Sequence, residues 1–262
     1  MPSIARITLG TPELDVAGAF YARVLGAPVP TEGAAIDLHG RGELASATVV
    51  DLAERADTPP EISGFRGFAI SYLVAEPGEV DALVARTVAE GGEEMKPARQ
   101  GFFGGYAAVV RTVDGSLWKI ASERKKDWGK VGEPPVPIEV GALLGVASPK
   151  ASKAFFTALG LATDRGRGSR HADVGTTPGA VRLGLLPREG LAKDLGNEPW
   201  GSGFAALELT LAAASLEELD AILTGVREHG GRVTAAPSTA HDGTTAAHFT
   251  DPDGYLWKIE TR

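Results

Sequence analysis

The sequence predicts an α+β protein of two like modules, each a strand, a helix and several further strands, packed around a shared surface. Three observations carry that prediction. First, Val113-Asp114-Gly115-Ser116-Leu117-Trp118-Lys119-Ile120 returns near the C-terminus as Asp251-Pro252-Asp253-Gly254-Tyr255-Leu256-Trp257-Lys258-Ile259-Glu260. Second, other groups recur in the same order. Leu9-Gly10 with Phe20-Tyr21 matches Leu144-Gly145 with Phe155-Phe156, Phe68-Ala69 matches Phe204-Ala205, Val80-Asp81-Ala82 matches Leu219-Asp220-Ala221, and Gly91-Gly92 matches Gly230-Gly231. Such an ordered series marks an internal repeat, and two copies are too few for a solenoid. Third, Glu133-Pro134-Pro135-Val136-Pro137 between the copies reads as an extended, semi-rigid linker. The expected division is 1–124, a linker at 125–137, and 138–262.

Along the first copy, Ala5, Ile7 and Leu9 alternate with Arg6 and Thr8, the pattern of a half-buried strand. Thr11 then reads as an N-cap, Pro12 as the first helical position, and Phe20, Tyr21, Val24 and Leu25 as the buried helix face that Gly26 ends. Short strands are expected around Ala35–Leu38 and Ala45–Leu52, and Asp57-Thr58-Pro59-Pro60 opens a loop. Phe68, Ile70, Tyr72 and Val74 share one strand face. A helix over about 79–90 should bury Val80, Leu83, Val84 and Val88 before Gly91-Gly92 stops it. A strand near Met95, the glycine-rich turn 101–105, a strand from Tyr106 to Arg111 and the Asp-Gly turn with its last strand complete the copy. In that last strand Trp118 and Ile120 face the core, so Lys119 faces the other way; Trp257, Ile259 and Lys258 repeat the arrangement.

Composition sets the outer bounds. Hydrophobic residues make up 43% and charged residues 23% of 262, enough for a sizeable core. The absence of cysteine excludes disulfides and thiolate chemistry. A formal charge of −8 without a basic stripe argues against nucleic acid as a partner. No apolar run approaches a membrane span and no signal-peptide core is present, so a cytoplasmic protein is expected.

The LGTPELD and AFYARVLG segments with DGSLWKI and DPDGYLWKI resemble the glyoxalase, bleomycin-resistance and extradiol-dioxygenase superfamily, the vicinal oxygen chelate proteins, over nearly the whole chain, twice. The resemblance implies tandem βαβββ modules whose sheets curl around a cleft that holds small ligands. In enzymes of that superfamily His, Gln or Glu side chains hold a divalent metal in the cleft. The matching positions are Arg6, about Ala69 and Lys119 in the first module, and Gly141, about Ala205 and Lys258 in the second. A protonated lysine has three donors and no free lone pair, so it is no ligand to such a metal. The resemblance therefore implies the frame without its metal site, and no cofactor is expected.

Candidate ligand-binding residues follow. Arg6, Lys119 and Lys258 suit an anionic or carbonyl-bearing ligand, or else pair with nearby carboxylates. His248, alternating with core-facing Phe249, points into the cleft. Phe102, Phe103, Tyr106 and Trp200 are the aromatic residues most free to line it, whereas Trp118 and Trp257 belong to the core. His171, Asp173 and His248 form the one conceivable relocated metal set; His39 and His229 read as surface residues. The leading expectation is a metal-independent binding protein that sequesters a small organic molecule, a drug or a metabolite. The alternative is a lyase, isomerase or dioxygenase using a relocated metal or a lysine. Monomer and homodimer both remain open.

Overall fold

The computed structural model describes residues 1–29, 35–101, 105–163, 172–174 and 180–261. The first half of the chain runs β1 (Ser3–Thr11), α1 (Leu14–Leu25), β2 (Ile36–Asp37), β3 (Glu43–Thr48), α2 (Val49–Ala56), β4 (Ile62–Gly64), β5 (Phe68–Val74), α3 (Pro77–Ala89), β6 (Glu93–Gln100), β7 (Tyr106–Arg111) and β8 (Leu117–Ser122). The second half repeats the order: β9 (Glu139–Val146), α4 (Pro149–Ala158), β10 (Ala172–Val174), β11 (Arg182–Pro187), α5 (Arg188–Leu195), β12 (Gly201–Gly203), β13 (Leu207–Ala212), α6 (Leu216–Glu228), β14 (Arg232–Thr239), β15 (Thr245–Thr250) and β16 (Leu256–Thr261). The tandem α+β architecture expected from the repeat is present, and each half contains the strand–helix–strands series twice.

The sheets are assembled across the halves. One has the order β14-β15-β16-β13-β1-β3-β2, the other β10-β11-β9-β5-β8-β7-β6, and a ribbon pairs β12 with β4. The opening quarter of the chain thus shares a sheet with the closing quarter through the antiparallel β1–β13 seam, and the middle quarters join through β5 and β9. This explains the repeated Leu-Gly. Gly10 N–H donates to Ala206 O at 2.9 Å and Gly145 N–H to Gly67 O at 2.7 Å. A Cβ on Gly10 would lie 2.7 Å from that of Ala206, and one on Gly145 2.9 Å from the Gly67 oxygen.

The core lies between the sheets and their long helices. Phe20, Tyr21, Tyr72, Phe156, Phe249 and Trp257 are fully buried. The duplicated Asp-Gly turns place Gly115 and Gly254 at φ 81 and 88, a conformation glycine adopts without strain. The aspartates lock the turns: Asp114 accepts from Ser116 N and Tyr21 Oη, and Asp251 from Tyr255 N and from Trp257 Nε1 at 3.0 Å.

Several local expectations change. The first helix starts at Leu14 rather than Pro12, and the Thr11 hydroxyl instead accepts from Glu13 N. In α3 the buried stripe is Val80, Leu83, Val84 and Thr87, the i, i+3, i+4, i+7 set; Val88 is 48% exposed. Residues 49–52, expected to extend a strand, belong to α2. Thr48 caps that helix by accepting from Asp51 N at 3.0 Å, and Leu52, Ala53 and Ala56 form its buried face. The stretch 186–203 contains α5 with Leu191, Ala192 and Leu195 buried. These two short helices decide the shape of the candidate sites.

Candidate functional site

Strand alternation gives each seven-stranded sheet a face opposite the long helices, and a short helix covers one end of that face. In the first sheet α2 packs Leu52, Ala53 and Ala56 against Ala206 and Leu256. In the second α5 packs Leu191, Ala192 and Leu195 against Ala69, Val109 and Leu117. Each cup is therefore filled with apolar side chains at one end.

The pairing registers line up the polar residues in rows. Across the first sheet the row reads Glu43, Arg6, Thr210, Lys258, His248. Across the second it reads Arg182, Gly141, Ser71, Lys119, Val109. Lys119 and Lys258 hold equivalent places, as the repeat requires. Ile70 pairs with Trp118 as Leu209 pairs with Trp257, so Ala69 corresponds to Glu208 and not to Ala205. That corrects the matched Phe-Ala dipeptides: Phe204 and Ala205 precede β13, and Glu208, a carboxylate, takes the middle position of the second module.

Glu208 is 2% exposed. Burial pushes its carboxyl up, but His248, the Arg55 guanidinium of α2 and Lys258 outweigh that effect and hold it below the usual value of 4.5. Arg55 Nη1 lies 3.2 Å from Oε1, and His248 Nε2 lies 3.4 Å from Oε2, long for a hydrogen bond. Both His248 Nε2 and Thr210 Oγ1 are buried without a hydrogen-bond partner. Lys258 pairs with Glu260 at 2.6 Å and Arg6 with Glu43 at 2.6 Å.

In the second cup Ala69 lies under α5, and Lys119 pairs with Asp194 of that helix at 2.5 Å. Beyond α5 a cavity of about 530 Å³ opens over Leu73, Val109 and Ala121. Tyr106 reaches its rim, but its ring packs on the helix-covered side and its hydroxyl donates to Asp81 on α3 at 2.9 Å. Phe102 and Phe103 lie outside the described residues. Trp200, 75% exposed, stands apart in a groove of about 870 Å³ beside Arg188 and the β4–β12 ribbon. The eight candidate residues thus do not form one site. Arg6, His248 and Lys258 share one cup, Lys119 and the edge of Tyr106 belong to the other, and Trp200 belongs to neither.

The family model for the Glyoxalase/Bleomycin resistance protein/Dioxygenase superfamily matches residues 3–120 and 140–259. The chain belongs to that superfamily. Glyoxalase I from Zea mays has a similar fold, with a TM-score of 0.69 at 16% identity over 100% of this chain and 92% of that one. A putative dioxygenase from Bacillus subtilis is similar with a TM-score of 0.62 at 16% identity, covering 99% and 84%. At that identity the likeness speaks for the fold. No curated protein matches the chain.

The superfamily's metal can be tested against the side chains present. Of the mapped positions only Glu208 is a ligand type. Its neighbours His248 and Lys258 add one imidazole and one ammonium. Among the described residues no three His, Cys, Asp or Glu side chains are spaced to hold a metal ion. The relocated set fares no better: Asp173 sits on β10 and His248 on β15, in different sheets, and His171 lies outside the described residues. The donor set does not fit the metal.

Proposed function

We propose that this member of the superfamily binds a small organic molecule without a metal, in the open end of the second cup. One observation carries the reading. At the mapped ligand positions there, Lys119 is paired with Asp194 and Ala69 is covered by α5, yet a cavity of about 530 Å³ persists beside them. That volume is in the range of small-molecule pockets, with an apolar floor and a few charged groups at the rim. Sequestration of a drug or metabolite is the function that follows. A thermal-shift screen of small organic molecules, run with and without a chelator, tests it. Hits whose stabilisation is unchanged by chelator support the reading, and hits that vanish with chelator contradict it.

A second reading is favoured by one feature of the first cup. Glu208 is buried beneath His248, whose Nε2 has no hydrogen-bond partner. An unpartnered imidazole nitrogen 3.4 Å from a carboxylate is suited to proton transfer in an isomerase or lyase step without a metal. Under this reading His248→Gln abolishes turnover of a carbonyl substrate and leaves the melting temperature near that of the wild type. Retained turnover in that variant excludes it.

A further inference from the structure

We infer that the second cup selects small organic anions with an apolar body, and that Asp194 is an internal competitor for the cation that recognises them. This rests on the binding role proposed above and adds the ligand class and a built-in latch.

Three cations line the cavity, together with two carboxylates, Asp194 and the exposed Glu123 at its edge. Lys119 rises from its floor on β8, while Lys96 and Arg99 come from β6, the edge strand that bends over it at two register shifts. Two of the three are already engaged by α5. Lys96 Nζ donates to the main-chain oxygens of Lys193 and Asp194 at 3.1 and 2.6 Å, at the C-terminal end of the helix where its dipole favours a cation. Lys119 Nζ donates to Asp194 Oδ2 at 2.5 Å. The Arg99 side chain, exposed on the rim, makes no hydrogen bond or ion pair among the described residues.

Beneath these cations the surface is apolar, formed by Leu73, Ala107, Val109 and Ala121. The equivalent positions of the first cup run differently: Ala235 and Ser238 replace Lys96 and Arg99, and Glu260 replaces Ala121. An apolar floor beside Lys96, Arg99 and Lys119 is therefore particular to the second cup, in a chain of net charge −8. It fits a ligand whose hydrocarbon part lies on the floor and whose carboxylate meets Lys119 and Arg99.

Asp194 holds the place that such a carboxylate would take. The side chains of the pair are 31% and 46% exposed, so the bond is wet and weak, and exchanging one carboxylate for another costs little. Asp194 keeps Lys119 neutralised and positioned when the cup is empty, and it turns toward solvent when a ligand carboxylate arrives.

Calorimetric titration of the full chain with 2-naphthoate and with the neutral 2-naphthamide tests the assignment, using Lys119→Met, Asp194→Asn and, as a surface control, Lys150→Met. Removing one charged contact is worth about a tenfold change in affinity. The expected result is that naphthoate binds more tightly than naphthamide, K119M weakens naphthoate by that factor, D194N tightens it, and K150M matches the wild type. Circular dichroism confirms that the variants fold. If D194N weakens naphthoate, or K119M leaves it unchanged, the inference is overturned. Equal binding of both compounds, insensitive to either variant, overturns the anion assignment alone and leaves the cup a binding site. No binding of either at millimolar concentration overturns the assignment and counts against the binding role as well.

Discussion

From α2 to the end of β8, and from α5 to the end of β16, the two halves match position for position, yet the short helix carries opposite charge at one matched place, Arg55 in α2 and Asp194 in α5, and each finds its partner at a different sheet position. In the first cup the short helix supplies the cation and the sheet the anion, Arg55 against Glu208. In the second the helix supplies the anion and the sheet the cation, Asp194 against Lys119. The burial differs as well. Glu208 is nearly inaccessible at 3%, whereas both members of the second pair reach solvent. The comparison separates two roles for one place on the short helix. A pair with a buried member is part of the fold, because its loss strands a charge. A pair in solvent is exchangeable, and that exchange is what a binding cup needs.

The largest effect tests whether the short helices are equivalent. Leu52 and Leu191 are fully buried counterparts, and truncating either to alanine should cost about 2–5 kcal/mol in chemical denaturation. A cost below about 1 kcal/mol at either site would break the equivalence. The charge pairs should then diverge. Arg55→Leu leaves the buried Glu208 carboxylate short of a charged donor and should cost about 2 kcal/mol. Asp194→Asn, between exposed partners, should cost less than about 1 kcal/mol. Equal costs would undo the distinction drawn between the cups.

A pH series sharpens the same contrast. A carboxyl whose value in the folded protein lies below that in the unfolded chain adds stability that is complete above the unfolded value and disappears as pH falls through the folded one. For Glu208 the free-energy gap between wild type and Glu208→Gln should be level near neutrality and shrink as pH drops below 4.5. A gap that instead widens on acidification contradicts the assignment of Glu208 as a stabilised anion. The smallest effect concerns Thr210, whose buried hydroxyl has no partner. Thr210→Val removes that hydroxyl at constant shape and should be neutral or stabilising by up to about 1 kcal/mol in thermal denaturation.

Much of this was legible from the repeat. The strand order, the core side of Trp118 and Trp257, and the matched places of the two lysines all follow from alternation and turn chemistry. The short helices did not follow, because eight residues with three buried positions give too little periodicity to stand out from a strand and loop. Glu208 was obscured for a different reason. Gly91 and Gly230 are separated by 139 residues, as are Trp118 and Trp257, and holding that offset aligns Ala69 with Glu208 and Asp194 with Arg55. The identical Phe-Ala pairs sit three residues off that register, and their similarity drew the alignment away. The pairing of Lys119 with Asp194, 75 residues apart, depended on a helix that the sequence did not reveal.

The proposal that neither cup holds a metal is tested by the metal content of the untagged protein, purified without chelator, by elemental mass spectrometry. No stoichiometric iron, manganese, nickel or zinc is expected. Near one equivalent of any of them per chain, lost together with Glu208→Gln or His248→Gln, would contradict it and make the first cup the metal site.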